Sequence, residues 1–175
     1  MTTTRHLTCA ETAKLVRVAL KKEWPAVKFS VRSDTYSGGA SIRVGWTDGP
    51  TELQVRALTD LYRGAEFDGM QDLKTYHDTW LSAPDGTVEA VHMGADFIFG
   101  SRAVSDEWVS VCVAALPQEP NGHDDRPSPC DGCGNWLAGG DRWYAQTEPH
   151  RGGMCCTREC AGRYLARRTT ENVSA

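Results

Sequence analysis

Apolar residues recur at helical spacing near the start of the chain, and Pro25 ends the pattern. Thr8 and Glu11 precede it at the spacing of a capping box, in which each side chain binds the other residue's free backbone N–H. The spacing predicts a first helix with one buried stripe. The stripe consists of Ala13, Val16, Leu20 and Trp24.

Alternation of apolar and polar residues predicts a hairpin after this helix. Residues 27–31 and 42–46 alternate, and residues 33–39 between them have the composition of a turn. Side chains of one parity lie on one face of a strand. We therefore expect cationic side chains to share the open face of the hairpin. They are Lys28, Arg32 and Arg43.

The rest of this region predicts two more helices and two more strands. The turn at residues 48–50 starts a second helix, residues 87–91 and 95–99 have strand patterns, and a last helix runs from its cap at Ser105 to Leu116. The order is α-β-β-α-β-β-α. It predicts an α+β domain with an antiparallel sheet and helices on one face.

Composition divides the chain into two modules. The first domain covers residues 1–118, and residues 119–128 are rich in Pro, Gly, Asn and Asp, which predicts a linker. Residues 129–168 contain most of the cysteines and predict a small zinc finger. Residues 169–175 are expected to be a disordered tail.

Hydropathy and charge limit the classes of protein. Hydrophobic residues make up 40% and charged residues 24% of the 175-residue chain, as in soluble globular proteins. No apolar run approaches the roughly 18–20 residues that span a bilayer, and the N-terminus lacks the apolar stretch of a secretory signal. We therefore expect a cytoplasmic protein without a membrane contact.

The charge is uneven along the chain. A net charge of −4 argues against a protein whose whole surface binds nucleic acid. The last predicted helix is basic, however, and the guanidinium group of arginine has several N–H donors that can bind phosphate oxygens. Besides Arg158, which lies between two cysteines, the helix carries Arg163, Arg167 and Arg168.

The seven cysteines are clustered, since five of them lie between positions 130 and 160. Cys130 and Cys133 fit a tight knuckle, in which Gly132 and Gly134 permit positive φ angles. Cys156 and Cys160 have the spacing of one helical turn. Four cysteine ligands close the coordination shell of a zinc ion, so we predict one structural Zn²⁺ and no catalytic metal. The predicted ligands are Cys130, Cys133, Cys156 and Cys160.

Two alternatives remain for this cluster. The cysteines can be free or disulfide-bonded, although a module of this size needs a disulfide or a metal ion in order to fold. Alternatively, His150 replaces one of the four cysteine ligands.

The finger resembles the treble-clef zinc fingers, in which a knuckle, a hairpin and a helix carry the ligands. Met154–Leu165 is similar to the "FCS" variety, and the resemblance implies that Cys155 takes an apolar position and is not a ligand. The predicted hairpin pairs Trp136–Leu137 with Trp143–Tyr144 across the Gly139-Gly140 turn.

The first domain resembles the large polyvalent protein-associated domain of type 29, which occurs in phages and conjugative elements. The resemblance rests on six segments and implies neither an activity nor functional residues. The segments are Glu11–Arg17, Val27–Val31, Tyr36–Gly39, Val44–Pro50, Phe67–Met70 and Asp96–Phe99 with Ser101-Arg102.

These features predict a phage or mobile-element accessory protein that binds a host protein or nucleic acid. The alternative is an enzyme that acts on a nucleotide or a host macromolecule in counter-defence. No catalytic residue is predicted, because neither a Ser/His/Asp set nor paired carboxylates occur at a diagnostic spacing.

Overall fold

The computed structural model describes residues 4–82, 86–148 and 151–169, which form a mixed α+β structure with four α-helices and several small sheets. The chain divides into two compact units. The first comprises Met1–Trp46 and Glu52–Arg102, and the second comprises Thr47–Thr51 and Ala103–Ala175. No helix in the described part of the chain is long and apolar enough to cross a membrane.

The first unit combines strands with two α-helices and a 3-10 turn at Asp60–Tyr62. Its other elements, in chain order, are β1 (Arg5–His6), α1 (Cys9–Glu23), β2 (Ser30–Tyr36), β3 (Gly39–Thr47), α2 (Glu52–Thr59), β4 (Ala65–Asp68), β5 (Leu73–Tyr76), β6 (Asp78–Ser82), β7 (Val88–His92) and β8 (Phe97–Ala103).

The predicted capping box at the start of α1 is confirmed. The backbone N–H of Thr8 donates to the Glu11 carboxylate at 2.8 Å, and the N–H of Glu11 donates to the Thr8 hydroxyl at 3.2 Å. These bonds satisfy two amides that the helix itself leaves free. The predicted stripe is confirmed for Ala13, Val16 and Leu20, which are buried in the main core, whereas Trp24 follows the end of α1 and is only partly buried against this core.

This core lies on one face of a three-stranded sheet with the order β2-β3-β8. Strand alternation turns Val31 and Val44 toward α1, together with the side chains of Ile42 and Trp46. Ile98 of β8 packs against the same core, as does Val55 of α2. The buried face therefore has the apolar parity that the sequence predicted for β3.

The predicted single antiparallel sheet is replaced by several small sheets. Strands β6 and β7 pair antiparallel, β1 joins β7 in parallel, and β4 pairs with β5. Strands β4, β5 and β6 were not predicted, because most of their residues are exposed and show no apolar alternation. Strand β2 also runs to Tyr36, which pairs with Gly39, so the turn between β2 and β3 is shorter than predicted.

The buried carboxylate of Asp96, the residue before β8, contacts the start of β3 and a lysine of β5. One oxygen of Asp96 accepts hydrogen bonds from the backbone N–H of Ala40 and from Lys74 Nζ, both at 2.8 Å. Because an unpaired buried charge is costly, these two donors explain how Asp96 is accommodated. Gly39 leaves room for it, since a Cβ there would lie 2.0 Å from this oxygen.

The second unit begins with a helix that the sequence assigned to the first domain. The unit contains α3 (Asp106–Ala115), β9 (Gly122–Asp124), β10 (Ser128–Pro129), β11 (Trp136–Leu137), β12 (Gly140–Glu148), β13 (Arg151–Cys155) and α4 (Arg158–Arg168). Ser105 caps α3 as predicted, and its hydroxyl accepts from Trp108 N–H at 3.1 Å. The Trp108 indole donates to Ala166 O at 3.3 Å, so α3 packs on α4.

The segment predicted as a linker, residues 119–128, is part of the second unit in the structure. Strand β9 pairs antiparallel with β12, and β10 pairs with β11. The Asn121 side chain binds Tyr144 in the manner of a backbone group, accepting from its N–H at 2.8 Å and donating to its carbonyl at 3.1 Å. Polar residues here complete a sheet, which composition alone does not distinguish from a linker.

The hairpin of the second unit also differs from the predicted one. Strand β12 pairs with β13, whereas Trp136–Leu137 pairs with Ser128–Pro129. Thr169 caps the end of α4, where its N–H donates to Leu165 O at 2.8 Å. The rest of the predicted tail, residues 170–175, lies outside the described residues.

His123 on β9 is held between two carboxylates, so we expect a raised pKa. Its ring nitrogens lie 2.8 Å from Asp141 and 2.9 Å from Asp125, and the hydrogen bond to Asp141, followed by that to Asp125, raises the pKa of His123. Protonated His123 and its two carboxylates should stabilise the fold. This contribution should be fully present below the pKa of about 6.5 that His123 has in the unfolded chain, and it should be lost as the pH rises through the higher pKa of the folded state.

An NMR pH titration measures this effect. The His123 pKa should lie above about 6.5 and fall in Asp141→Asn. The exposed carboxylate of Asp106 provides a matched control, and Asp106→Asn should leave the titration unchanged. An unchanged His123 titration in Asp141→Asn would contradict the prediction.

Candidate metal centre

The first two cysteines of the cluster lie on a tight turn before β11. The N–H of Gly134 donates to Cys130 O at 2.7 Å, and the N–H of Cys130 donates to Asn135 O at 2.9 Å. Gly134 has a φ of 79°, which favours glycine as predicted. Gly132 serves a different purpose, because a Cβ there would lie 2.6 Å from Cys160 O.

The other two cysteines lie at the start of α4. Thr157 is the N-cap, and its hydroxyl accepts from the N–H of Cys160 at 3.1 Å. Cys156 precedes the cap, and Cys160 lies in the first turn. Thr157 was not predicted as a cap, although a threonine directly before a helix is a recognisable N-cap signal.

The four thiols converge. The Sγ atoms of Cys130, Cys133, Cys156 and Cys160 all lie within 4.8 Å of one another. Cys133 and Cys156 are 3.8 Å apart, and Cys156 and Cys160 are 3.4 Å apart. A tetrahedron of thiolates about 2.3 Å from a zinc ion has edges of roughly 3.8 Å. The cluster therefore has the size and donor chemistry of a four-cysteine metal site, and thiolates favour soft or borderline ions.

Backbone amides stabilise the negatively charged form of Cys130. Burial by itself raises the pKa of Cys130, but hydrogen bonds from the amides of Cys156, Cys133 and Gly132 outweigh it and lower the pKa to about 6. The N–H of Cys156 donates to Cys130 Sγ at 3.3 Å. Burial and the adjacent thiols raise the pKa of Cys156. A cation among the four sulfurs would favour their charged forms.

Cys155 belongs to the hydrophobic core of the second unit rather than to the thiol cluster. Its side chain is 0% exposed and packs with Ala145, Ala161 and Tyr164. Burial is the main cause that raises the pKa of Cys155 to about 12, so it is a neutral thiol at physiological pH. His150, the alternative ligand, lies outside the described residues.

The predicted basic residues lie in two places, the β2-β3 hairpin and helix α4. Arg32 and Arg43 are directly opposite each other on β2 and β3, and both are exposed. Lys28 is exposed just before β2, not within a strand as predicted. Arg163 and Arg167 are exposed one turn apart on α4.

Two other arginines of α4 make specific contacts. The Arg168 guanidinium lies 4.8 Å from the centre of the Tyr164 ring. Arg158 donates to the carbonyl oxygens of Leu116 at 2.8 Å and Pro117 at 3.0 Å, and so connects α4 to the chain that follows α3. Arg158 therefore has a structural role that the sequence did not reveal.

Comparison with known proteins identifies the first unit. No curated protein and no solved structure matches the chain. The family model described as "Large polyvalent protein associated domain 29" matches residues 7–105, and the match ends close to the boundary between the two units. Because these residues make up more than half of the 175-residue chain, the protein belongs to the large polyvalent protein associated domain 29 family.

Proposed function

We propose that this is a phage or mobile-element accessory protein that binds nucleic acid. Its second unit is a treble-clef-type finger, in which one structural zinc ion joins the knuckle to the start of α4. Family membership supports the origin. The converging thiols and the closed four-cysteine shell support the structural role of the metal.

The arrangement of Arg32 and Arg43 is the observation that carries the proposal. Like charges directly opposite each other destabilise an antiparallel pair. No ion pair with an acidic side chain joins either arginine in the described part of the chain. Lys28 adds a third exposed cation before the same strand. Phosphate groups would compensate these charges, and arginine forks can bind phosphate oxygens bidentately.

Helix α4 offers a second basic surface. Arg163 and Arg167 are separated by four positions and are both exposed, so they lie on one side of the helix. They follow the metal ligands in the chain, so an intact metal site keeps this helix in place. Arg158 is excluded, because it donates to the carbonyls of Leu116 and Pro117.

Fluorescence anisotropy with a labelled duplex tests the proposal. A triple variant of the hairpin cations, Lys28→Ala with Arg32→Ala and Arg43→Ala, should bind all sequences more weakly. The slope of log K against log salt should flatten by about 0.9 for each phosphate that the variant no longer neutralises. The matched control removes three exposed charges from α1 by Lys14→Ala, Lys21→Ala and Lys22→Ala, and it should keep the wild-type slope.

Two results would overturn the proposal. The first is wild-type protein that binds no nucleic acid at low salt, where the electrostatic contribution is greatest. The second is an equal loss of binding in the hairpin and control variants, since that would reflect net charge and not a site. A host-protein partner would then be the leading function. An enzymatic activity in counter-defence stays a prediction.

A further inference from the structure

The β2-β3-β8 sheet has a second face, opposite the core. Val31, Ile42 and Ile98 turn toward the core, so residues of the other parity on these strands turn away from it. We call this the outer face. It includes Arg32, Asp34, Tyr36, Arg43, Phe97 and Phe99.

Aromatic rings are exposed on this face. Phe99 is 56% exposed and Tyr36 is 49% exposed, although burial of such rings is strongly favourable. Phe97 is partly covered, and its ring centre lies 6.2 Å from that of Phe99. Lys74 Nζ lies 5.7 Å from the Phe97 ring centre while it pairs with Asp96. The face therefore combines flat apolar rings with cations.

The charges of the outer face favour an anionic partner. Arg32 and Arg43 carry two positive charges that no acidic side chain neutralises through an ion pair in the residues that the structure describes. Asp34 supplies one exposed negative charge on the same face. Lys74 is compensated by Asp96 at 2.8 Å. The remaining charge is positive and lies on the strands next to the exposed rings.

A cavity of about 320 Å³ adjoins β8, which is an edge strand of this sheet. Its volume falls in the range of small-molecule sites, roughly 300–1,000 Å³. Its walls include Phe97 and Phe99, the cations Arg56 and Arg63, and the acidic residues Glu52 and Asp60. Arg56 and Arg63 both donate to Asp60, at 3.4 Å and 3.2 Å. Rings and guanidinium groups therefore continue past the edge of the sheet.

We infer that the outer face binds single-stranded nucleic acid, with bases stacked on Phe99 and Phe97 and phosphates on Arg32 and Arg43. The cavity beside β8 receives one further nucleotide. This inference rests on the proposed function and narrows its ligand. In a duplex the flat faces of the bases are stacked on each other, whereas a single strand can splay its bases onto side-chain rings.

The test uses full-length, zinc-loaded protein with a labelled single-stranded 20-mer of thymidine and a labelled 20-base-pair duplex. Phe99→Ala should weaken single-strand binding by about 5-fold to 150-fold, the range expected for removal of one base stack. Duplex binding should change little. Phe99→Tyr keeps the ring and should restore single-strand binding, which separates stacking from any effect on folding.

The control variant is Trp136→Ala, which removes an exposed ring from the other unit and should bind the single strand like wild type. The double variant Arg32→Ala with Arg43→Ala should weaken both ligands, because phosphates are common to both. If Phe99→Ala binds the single strand like wild type while the arginine variant loses binding, the stacking inference falls and the proposed function stands. If wild-type protein binds neither ligand, both fall.

Discussion

Replacement of Cys160 by serine is expected to remove the metal ion and unfold the C-terminal finger. Wild-type protein should contain one zinc ion per chain by elemental analysis, and Cys160→Ser should contain almost none. The effect should be large, because zinc binding in small modules has an apparent free energy of about 10–16 kcal/mol and is coupled to folding. Gly132 of the knuckle packs closely against the backbone of Cys160, so unfolding of the finger should separate these residues. An NMR spectrum of the variant should then show a narrow spread of amide chemical shifts for this unit.

Cys155→Ala provides the matched control for this experiment. Cys155 is adjacent to a predicted ligand but belongs to the apolar core, so its removal should leave the zinc content unchanged. Alanine fills less volume, and a modest loss of stability is therefore expected. Wild-type protein that is folded and free of metal would contradict the zinc assignment. A Cys155→Ala variant that loses zinc while Cys160→Ser keeps it would also contradict this assignment.

Gly162→Ala is expected to destabilise the second unit by about 1–3 kcal/mol, the usual cost of overpacking a core. Gly162 lies on the buried side of α4, where an added Cβ would be 2.2 Å from Cγ2 of Val113 and 3.1 Å from its backbone nitrogen. The sign of the effect is informative. In an exposed helix the same change should stabilise by about 1 kcal/mol, because alanine has the higher helix propensity.

Denaturant unfolding of the zinc-loaded protein measures this effect. The double variant Gly162→Ala with Val113→Ala removes the closest clashing methyl group, so it should recover part of the stability, and a double-mutant cycle gives the coupling. Arg163→Ala, an exposed change on the same helix, should have little effect. Stabilisation by Gly162→Ala would show that α3 does not pack on α4 in solution.

Interactions between near neighbours in the chain were predictable from sequence. The capping box of α1 needs only Thr8 and Glu11, and both predicted hydrogen bonds form. The caps of α3 and α4 follow the same rule, although only Ser105 was identified from the sequence. Local geometry determines these contacts, so they do not depend on which distant segments pack together.

Contacts between distant segments were not predictable in the same way. Composition indicated a linker at residues 119–128, but Asn121 binds Tyr144, which lies 23 positions later. Apolar alternation identified the strands that face the core and missed the mostly exposed β4 and β5. The alternation pattern reports burial, so it cannot reveal strands that leave both faces in water.

The first helix, the inward-facing residues of β3 and the four clustered cysteines could be read from the sequence, because residue spacing along the chain sets each of them. The packing of α3 on α4, the pairing of Arg32 with Arg43, and the hydrogen bond from the Cys156 amide to Cys130 Sγ became evident from the folded structure. The Arg32–Arg43 pairing depends on the register of the β2-β3 hairpin, and the other two depend on packing between segments far apart in the chain. Such contacts are set by the free energy of the whole fold and not by local propensity.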